Sequence, residues 1–185
     1  MVTLSKTLPP VAKTCFAVWI AASFSLGLLS AQSPGNPLST GNKNTYEAVK
    51  NNIIRAAEKM PEENYSFKPT PEVRSFGALV GHVADAQYLF CSIALGEKNP
   101  QPNIEKTKTG KAELVQSLKE AFAYCDKAYD GLTDAQASTL VKMFGHDAPK
   151  LTVLSFSTAH DDEHYGNMVT YLRLKGIVPP SSERR

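Results

Sequence analysis

Tyr46, Val49, Ile53, Ala56 and Met60 recur at steps of three and four through a polar stretch, the spacing of one buried face of an α-helix. Pro61 ends that helix, and "PEENYSFKPTPEVRS" follows as a proline-rich loop. A second apolar stripe runs from Phe76 to Leu95, with Ser75 as candidate N-cap and Gly96 just past its end. Leu114, Leu118, Ala121, Cys125, Ala128 and Leu132 alternate steps of four and three, like one seam of a helical bundle. Thr133–Gln136 has the Thr-x-x-Gln form of a capping box and predicts a short helix, after which "FGHDAPK" reads as a loop. The last helix is expected over about Thr152–Lys175. Gly176 is suited to end it, Ile177 to pack back, and Pro179 and Pro180 to block continuation. Strand signals are nearly absent and there is no internal repeat. Four long amphipathic helices predict an all-α fold, a four-helix bundle with a short extra helix before the last long one.

The first thirty-one residues have a different character. Lys6 and Lys13 precede the unbroken apolar run "CFAVWIAASFSLGLLS", and "SAQSPGNP" then supplies small residues and turn formers. This is the layout of a signal peptide, and the run is short for a bilayer span, where about 20 residues are typical. The expected organisation is therefore a signal peptide over 1–31, a flexible leader over 32–43, a helical domain over 44–180 and a C-terminal tail over 181–185. Cleavage after Ala31 would leave a periplasmic or extracellular protein without stable membrane association; an uncleaved membrane anchor is the alternative. Lys6 and Lys13 are the only charged residues in that segment, so the excess of 20 basic over 18 acidic side chains disappears with it. A nucleic-acid binder would carry a basic footprint, and the remaining chain has none. An exported chain permits a bridge between Cys91 and Cys125, but their helical phases argue against it.

Those phases follow from a turn of about 100° per residue. On the last helix His164 lies about 40° from His160, with Val153, Tyr171 and Asn167 within about 20° of it, whereas Asp162 points about 200° away. Both histidines therefore face the bundle interior. On the second helix His82 stands in the middle of an apolar stripe with Leu79, Ala86, Phe90 and Ile93, and Cys91 falls on the opposite face. Three inward imidazoles are costly to bury without partners, and a divalent ion satisfies all three at once. His82, His160 and His164 are the candidate metal ligands.

"HDDEH" at 160–164 matches the loose H-x-x-E-H string of inverted zincins. Those proteases need a further acidic ligand downstream, and the only acid after His164 is Glu183 in the tail. The protease match is a coincidence of pattern. What the chain resembles, from about Tyr46 to Pro180, is the DinB-like family of metalloenzymes. The resemblance is carried by "SFGALVGHVADAQYLF" and by "HDDEHYGNMVTYLRLKGIVPP". It implies a four-helix bundle that binds a divalent ion through three histidines, which by position are again His82, His160 and His164. It also implies a homodimer.

Three imidazoles leave coordination positions open, an arrangement typical of catalytic rather than structural sites. Zinc or nickel suits such a donor set. The reading that follows is an exported metal-dependent hydrolase or transferase acting on a small molecule that the sequence does not specify. The alternative is a non-catalytic metal-binding or stress-related protein. Asp161 and Glu163 flank the inward stripe and are candidates for an acid–base role or for bonding a ligand imidazole, against the alternative of solvated charges. Asp85, one turn after His82, has the same ambiguity. His146, in the loop before the last helix, is a further acid–base candidate, although a lone loop histidine is commonly just exposed. Asn167 and Tyr171 are expected to line the pocket, Gly166 to allow close helix approach, and Phe122 and Phe156 to belong to the core.

Overall fold

A computed structural model of the chain describes residues 35–183, and the expected signal segment lies outside them. Helix α1 spans Pro37–Lys59, α2 Phe76–Leu95, α3 Ile104–Thr107, α4 Lys111–Gly131 and α5 Lys150–Leu174, with strands β1 at Leu140–Met143 and β2 at His146–Pro149 between α4 and α5. The fold is all-α in its architecture: α1 packs on α4 and α5, α2 packs on the same two, and α3 lies against α2. Tyr46, Ile53, Phe76, Phe122, Leu118, Leu154 and Met168 fill the centre and are fully buried. Tyr46 stacks on Tyr129 with ring centroids 3.7 Å apart.

The bundle departs from the sequence expectation at four places. First, the leader expected to be flexible over 32–43 is helical from Pro37. Pro37 is pre-shaped for the first turn, and the free N–H groups of Leu38 and Ser39 donate to the Asp134 carboxylate at 3.1 and 2.8 Å. A residue nearly a hundred positions away thus supplies the cap, which no local reading of residues 32–43 contains.

Second, the short helix expected after Thr133 does not form. Thr133 and Gln136 make only half of a capping box: the Thr133 N–H donates to Gln136 Oε1 at 3.3 Å, but the Thr133 hydroxyl donates to that same oxygen and accepts nothing from the Gln136 N–H. The chain continues as turns into an antiparallel hairpin pairing Leu140 with Pro149 and Met143 with His146. Phe144 and Gly145 form the tip with positive φ, 51° and 84°, the combination of a two-residue hairpin turn. The extra short helix is instead α3, between α2 and α4.

Third, Cys91 and Cys125 are joined by a disulfide, with Cα atoms 5.2 Å apart and both residues fully buried. The phase argument assumed one buried face on α2. This helix has two, one toward α5 and one toward α4, with Ala84, Tyr88, Cys91 and Ala94 buried on the side away from His82. Fourth, the expected tail is docked through Glu183. Tyr165 Oη bonds Ser181 Oγ at 2.8 Å, and Glu183 pairs with Arg55 and Lys59. The end of α5 matches expectation: Gly176 adopts φ 71° and the Ile177 N–H donates to the Leu172 carbonyl at 2.9 Å.

Candidate metal centre

His82 enters from the middle of α2, and His160 and His164 from successive turns of α5. These two helices pack directly, so the i, i+4 pair and the lone histidine meet across one seam. His160 Nε2 lies 3.2 Å from His82 Nε2 and 3.0 Å from His164 Nε2. The three donor atoms all lie within 4.8 Å of one another. His164 is buried at 7% exposure, and the other two are half-buried. Burial and the neighbouring imidazoles push His160 and His164 down to about 4. Burial also lowers His82, against the pull of Glu105. Near neutral pH all three rings are therefore uncharged, the form that ligates metal.

The donor set fits a small divalent ion. Tetrahedral ligands at about 2.05 Å from a shared centre stand roughly 3.3 Å apart, and the two measured Nε2 separations lie close to that. Neutral imidazoles this close are satisfied either by one ring's N–H donating to the next or by an ion that takes all three lone pairs. His82 Nδ1 and Glu105 Oε2 lie 3.2 Å apart, close enough for the carboxylate charge to favour a proton on Nδ1 over one on Nε2. Asn167 lies 3.5 Å from Nδ1 of His164 and offers an acceptor there when its carbonyl oxygen faces the ring.

His164 forms part of the wall of a cleft of about 330 Å³, shared with Glu72, Val73, Arg74, Leu79, Glu163, Asn167 and Tyr171. Asn167 and Tyr171 thus sit where the helical phases direct them. The Tyr171 hydroxyl donates to the Arg74 carbonyl at 2.7 Å, tying the loop before α2 to the last helix. On the other flank, Phe90 packs its ring 5.6 Å from that of His160, and Phe144 and Phe156 pack on Phe90. Phe156, expected in the core, is 44% exposed in this aromatic cluster, whereas Phe122 is fully buried.

The three acid–base candidates part company. Glu163 is exposed on the cleft wall. Asp161 is fully buried and accepts a hydrogen bond from Gln87 Nε2 at 2.6 Å, so it neither contacts a ligand imidazole nor faces water. His146 is exposed on β2 and makes no hydrogen bond or ring contact with the three histidines. Asp85 is neither base nor solvated charge: its oxygens accept the backbone N–H groups of Ile104 and Glu105 at 2.7 and 3.0 Å. Gly166 is exposed, and a Cβ there would meet nothing. The glycine that permits close approach is Gly81, where a Cβ would lie 2.7 Å from Cα of Glu105. Sequence reading missed Glu105 itself. It lies in a polar connection with no periodicity, and only the fold brings it beside His82.

The sequence profile of the DinB superfamily matches residues 45–168. An uncharacterized protein, YjoA of Bacillus subtilis (strain 168), is 27% identical over 123 residues, 65% of this chain and 79% of that protein. Among crystal structures, a DinB-like protein from Bacillus cereus ATCC 10987 superposes with a TM-score of 0.68 at 17% identity, over 76% of this chain and 95% of that one. The YjoA structure superposes with a TM-score of 0.63 at 24% identity, over 78% and 99% of the two chains.

Proposed function

Starting from the fact that this chain belongs to the DinB superfamily, we propose that it is an exported metal-dependent enzyme, a hydrolase or transferase of a small molecule. His82, His160 and His164 are its metal ligands, and zinc or nickel is its ion. The observation that carries the reading is the convergence of three neutral Nε2 atoms, from two helices, beside an open cleft. An ion held there supplies an open coordination position, able to polarise a carbonyl, activate water or hold a thiolate. A storage or purely structural site has no use for such a mouth. The cleft wall is polar where it adjoins His164, with Glu163, Asn167, Arg74 and Glu72 around it, which favours catalysis over the non-catalytic alternative.

The residues of the chain have separable tasks in this reading. The loop of Glu72–Arg74 and the α5 side chains Glu163, Asn167 and Tyr171 bind and orient the substrate. Glu163 is exposed and free to exchange a proton with a bound molecule. Leu79 and the Phe90 cluster restrict water on the apolar flanks. Asp161 has no part, because it points away into the core. The disulfide supports export, since such bonds persist in oxidising compartments.

Elemental analysis of purified protein tests the ligand set. The parent is expected to carry close to one equivalent of metal, His82→Ala, His160→Ala and His164→Ala to lose it, and His146→Ala to keep it. Metal retained in full by any of the first three removes that residue from the set. Azide titration of the cobalt-substituted protein tests the open position. A changed visible spectrum is expected, and an unchanged one favours the non-catalytic alternative.

A further inference from the structure

Glu105 occupies a seat that the ligand-bearing helix itself builds. Helix α3 is a single turn, too short to be stable alone. It is anchored by two residues of α2 and by its own first residue. Asp85 accepts the N–H groups of Ile104 and Glu105, Gly81 lets the backbone of Glu105 come against α2, and Ile104 is buried at 1% exposure. Gly81 and Asp85 bracket His82 on α2. The placement of Glu105 is therefore set relative to His82, not to the surface. Its two oxygens divide their work: Oε1 accepts from Arg74 Nε at 2.9 Å, and Oε2 faces His82 Nδ1 at 3.2 Å.

We propose that Glu105 is the positioning residue of the metal centre. Its carboxylate accepts the Nδ1–H of His82, which fixes both the tautomer and the ring plane and aims the Nε2 lone pair at the point shared with His160 and His164. Arg74 holds the carboxylate in place from the cleft side. A carboxylate behind a ligand histidine raises its basicity and removes its freedom to flip, and loss of such a partner commonly weakens metal binding by about 10–100-fold. His160 has no comparable partner, its Nδ1 being buried without one, and His164 Nδ1 faces only the Asn167 amide at 3.5 Å, so His82 alone has a carboxylate behind it. The inference deepens the metal-centre reading and rests on it for its effect on affinity, but the tautomer stands independently.

Two measurements separate these. Zinc affinity is read by competition with a chromophoric chelator for the parent, Glu105→Ala, Glu105→Gln and Gly81→Ala. Glu105→Ala is expected to lose about 10–100-fold. Glu105→Gln, whose amide oxygen still accepts the Nδ1 proton, is expected to recover most of that loss. Gly81→Ala, which pushes α3 away without touching any ligand, is expected to behave like Glu105→Ala. Nitrogen-15 NMR of the metal-free protein then reads the His82 tautomer directly. The proton is expected on Nδ1 in the parent and in Glu105→Gln, and no longer fixed there in Glu105→Ala. Undiminished zinc affinity in Glu105→Ala, or a parent His82 protonated on Nε2, overturns the proposal. A parent that binds no zinc while His82 still shows the Glu105-dependent tautomer overturns the metal reading and leaves the positioning role intact.

Discussion

Asp161 illustrates how neighbouring positions on one helix receive opposite fates. It is adjacent to a candidate ligand, yet it is sealed in the core, one oxygen on Gln87 and the other, Oδ2, without a partner. Gln87 Oε1 and the Ser157 hydroxyl, one turn earlier on α5, also lack partners. Burial holds the Asp161 carboxyl well above the usual carboxylate range, against the opposing hydrogen bond from Gln87. A carboxyl raised in the folded state binds its proton more tightly there than in the unfolded chain. Folding stability therefore declines as pH rises above the unfolded value near 4. Asp161→Asn removes that dependence and adds an N–H donor among unpartnered oxygens. The variant is expected to melt above the parent at pH 8, with the two converging near pH 4, as followed by circular dichroism. Equal melting at both pH values would mean that Asp161 carries no such burden. Sequence phases found the three histidines because each sits near the centre of an apolar stripe. They misjudged Asp161 because it lies at a stripe's edge, and α5 is covered there by α2 and α1 together.

Among the elements, α1 and α2 best show what periodicity reveals. Steps of three and four identify the buried face of α1 from Tyr46 onward, but not its first turns, where the stabilising group is Asp134 on another segment. Asp134→Ala is expected to loosen the first turns of α1, as loss of a helix cap does. The loss should appear as faster hydrogen exchange confined to the first turns of α1; exchange unchanged there would make the bond incidental. On α2, an apolar stripe was visible around His82, but the opposite face, rich in small residues, looked unremarkable. That second face holds α4, α3 and the disulfide. The hairpin was illegible for a related reason: its strands are short and largely exposed, so alternation of burial barely marks them. The Thr133–Gln136 pattern was only half fulfilled: Gln136 caps the Thr133 N–H, but the reciprocal bond is missing and no helix is nucleated there.

At the level of the whole molecule, the bundle and the clustering of His82, His160 and His164 were legible because both depend on long-range regularity that a sequence displays. Glu105 and Cys91–Cys125 were not, because each depends on which face of α2 meets which neighbour. The closure between Cys91 and Cys125 spans 34 positions, and removing a loop constraint of that size is expected to cost roughly 3–4 kcal/mol. For a chain of this length that corresponds to a fall in melting temperature on the order of 10 °C. Scanning calorimetry with and without a thiol reductant measures it, and an unmoved transition would show that the staple contributes nothing. The consequence reaches the bench. A copy produced in a reducing cytosol would still own its three imidazoles on α2 and α5, yet α2 would lose its covalent tie to α4. Softness or poor yield in such material would then report the compartment of synthesis and not a defect of the centre itself.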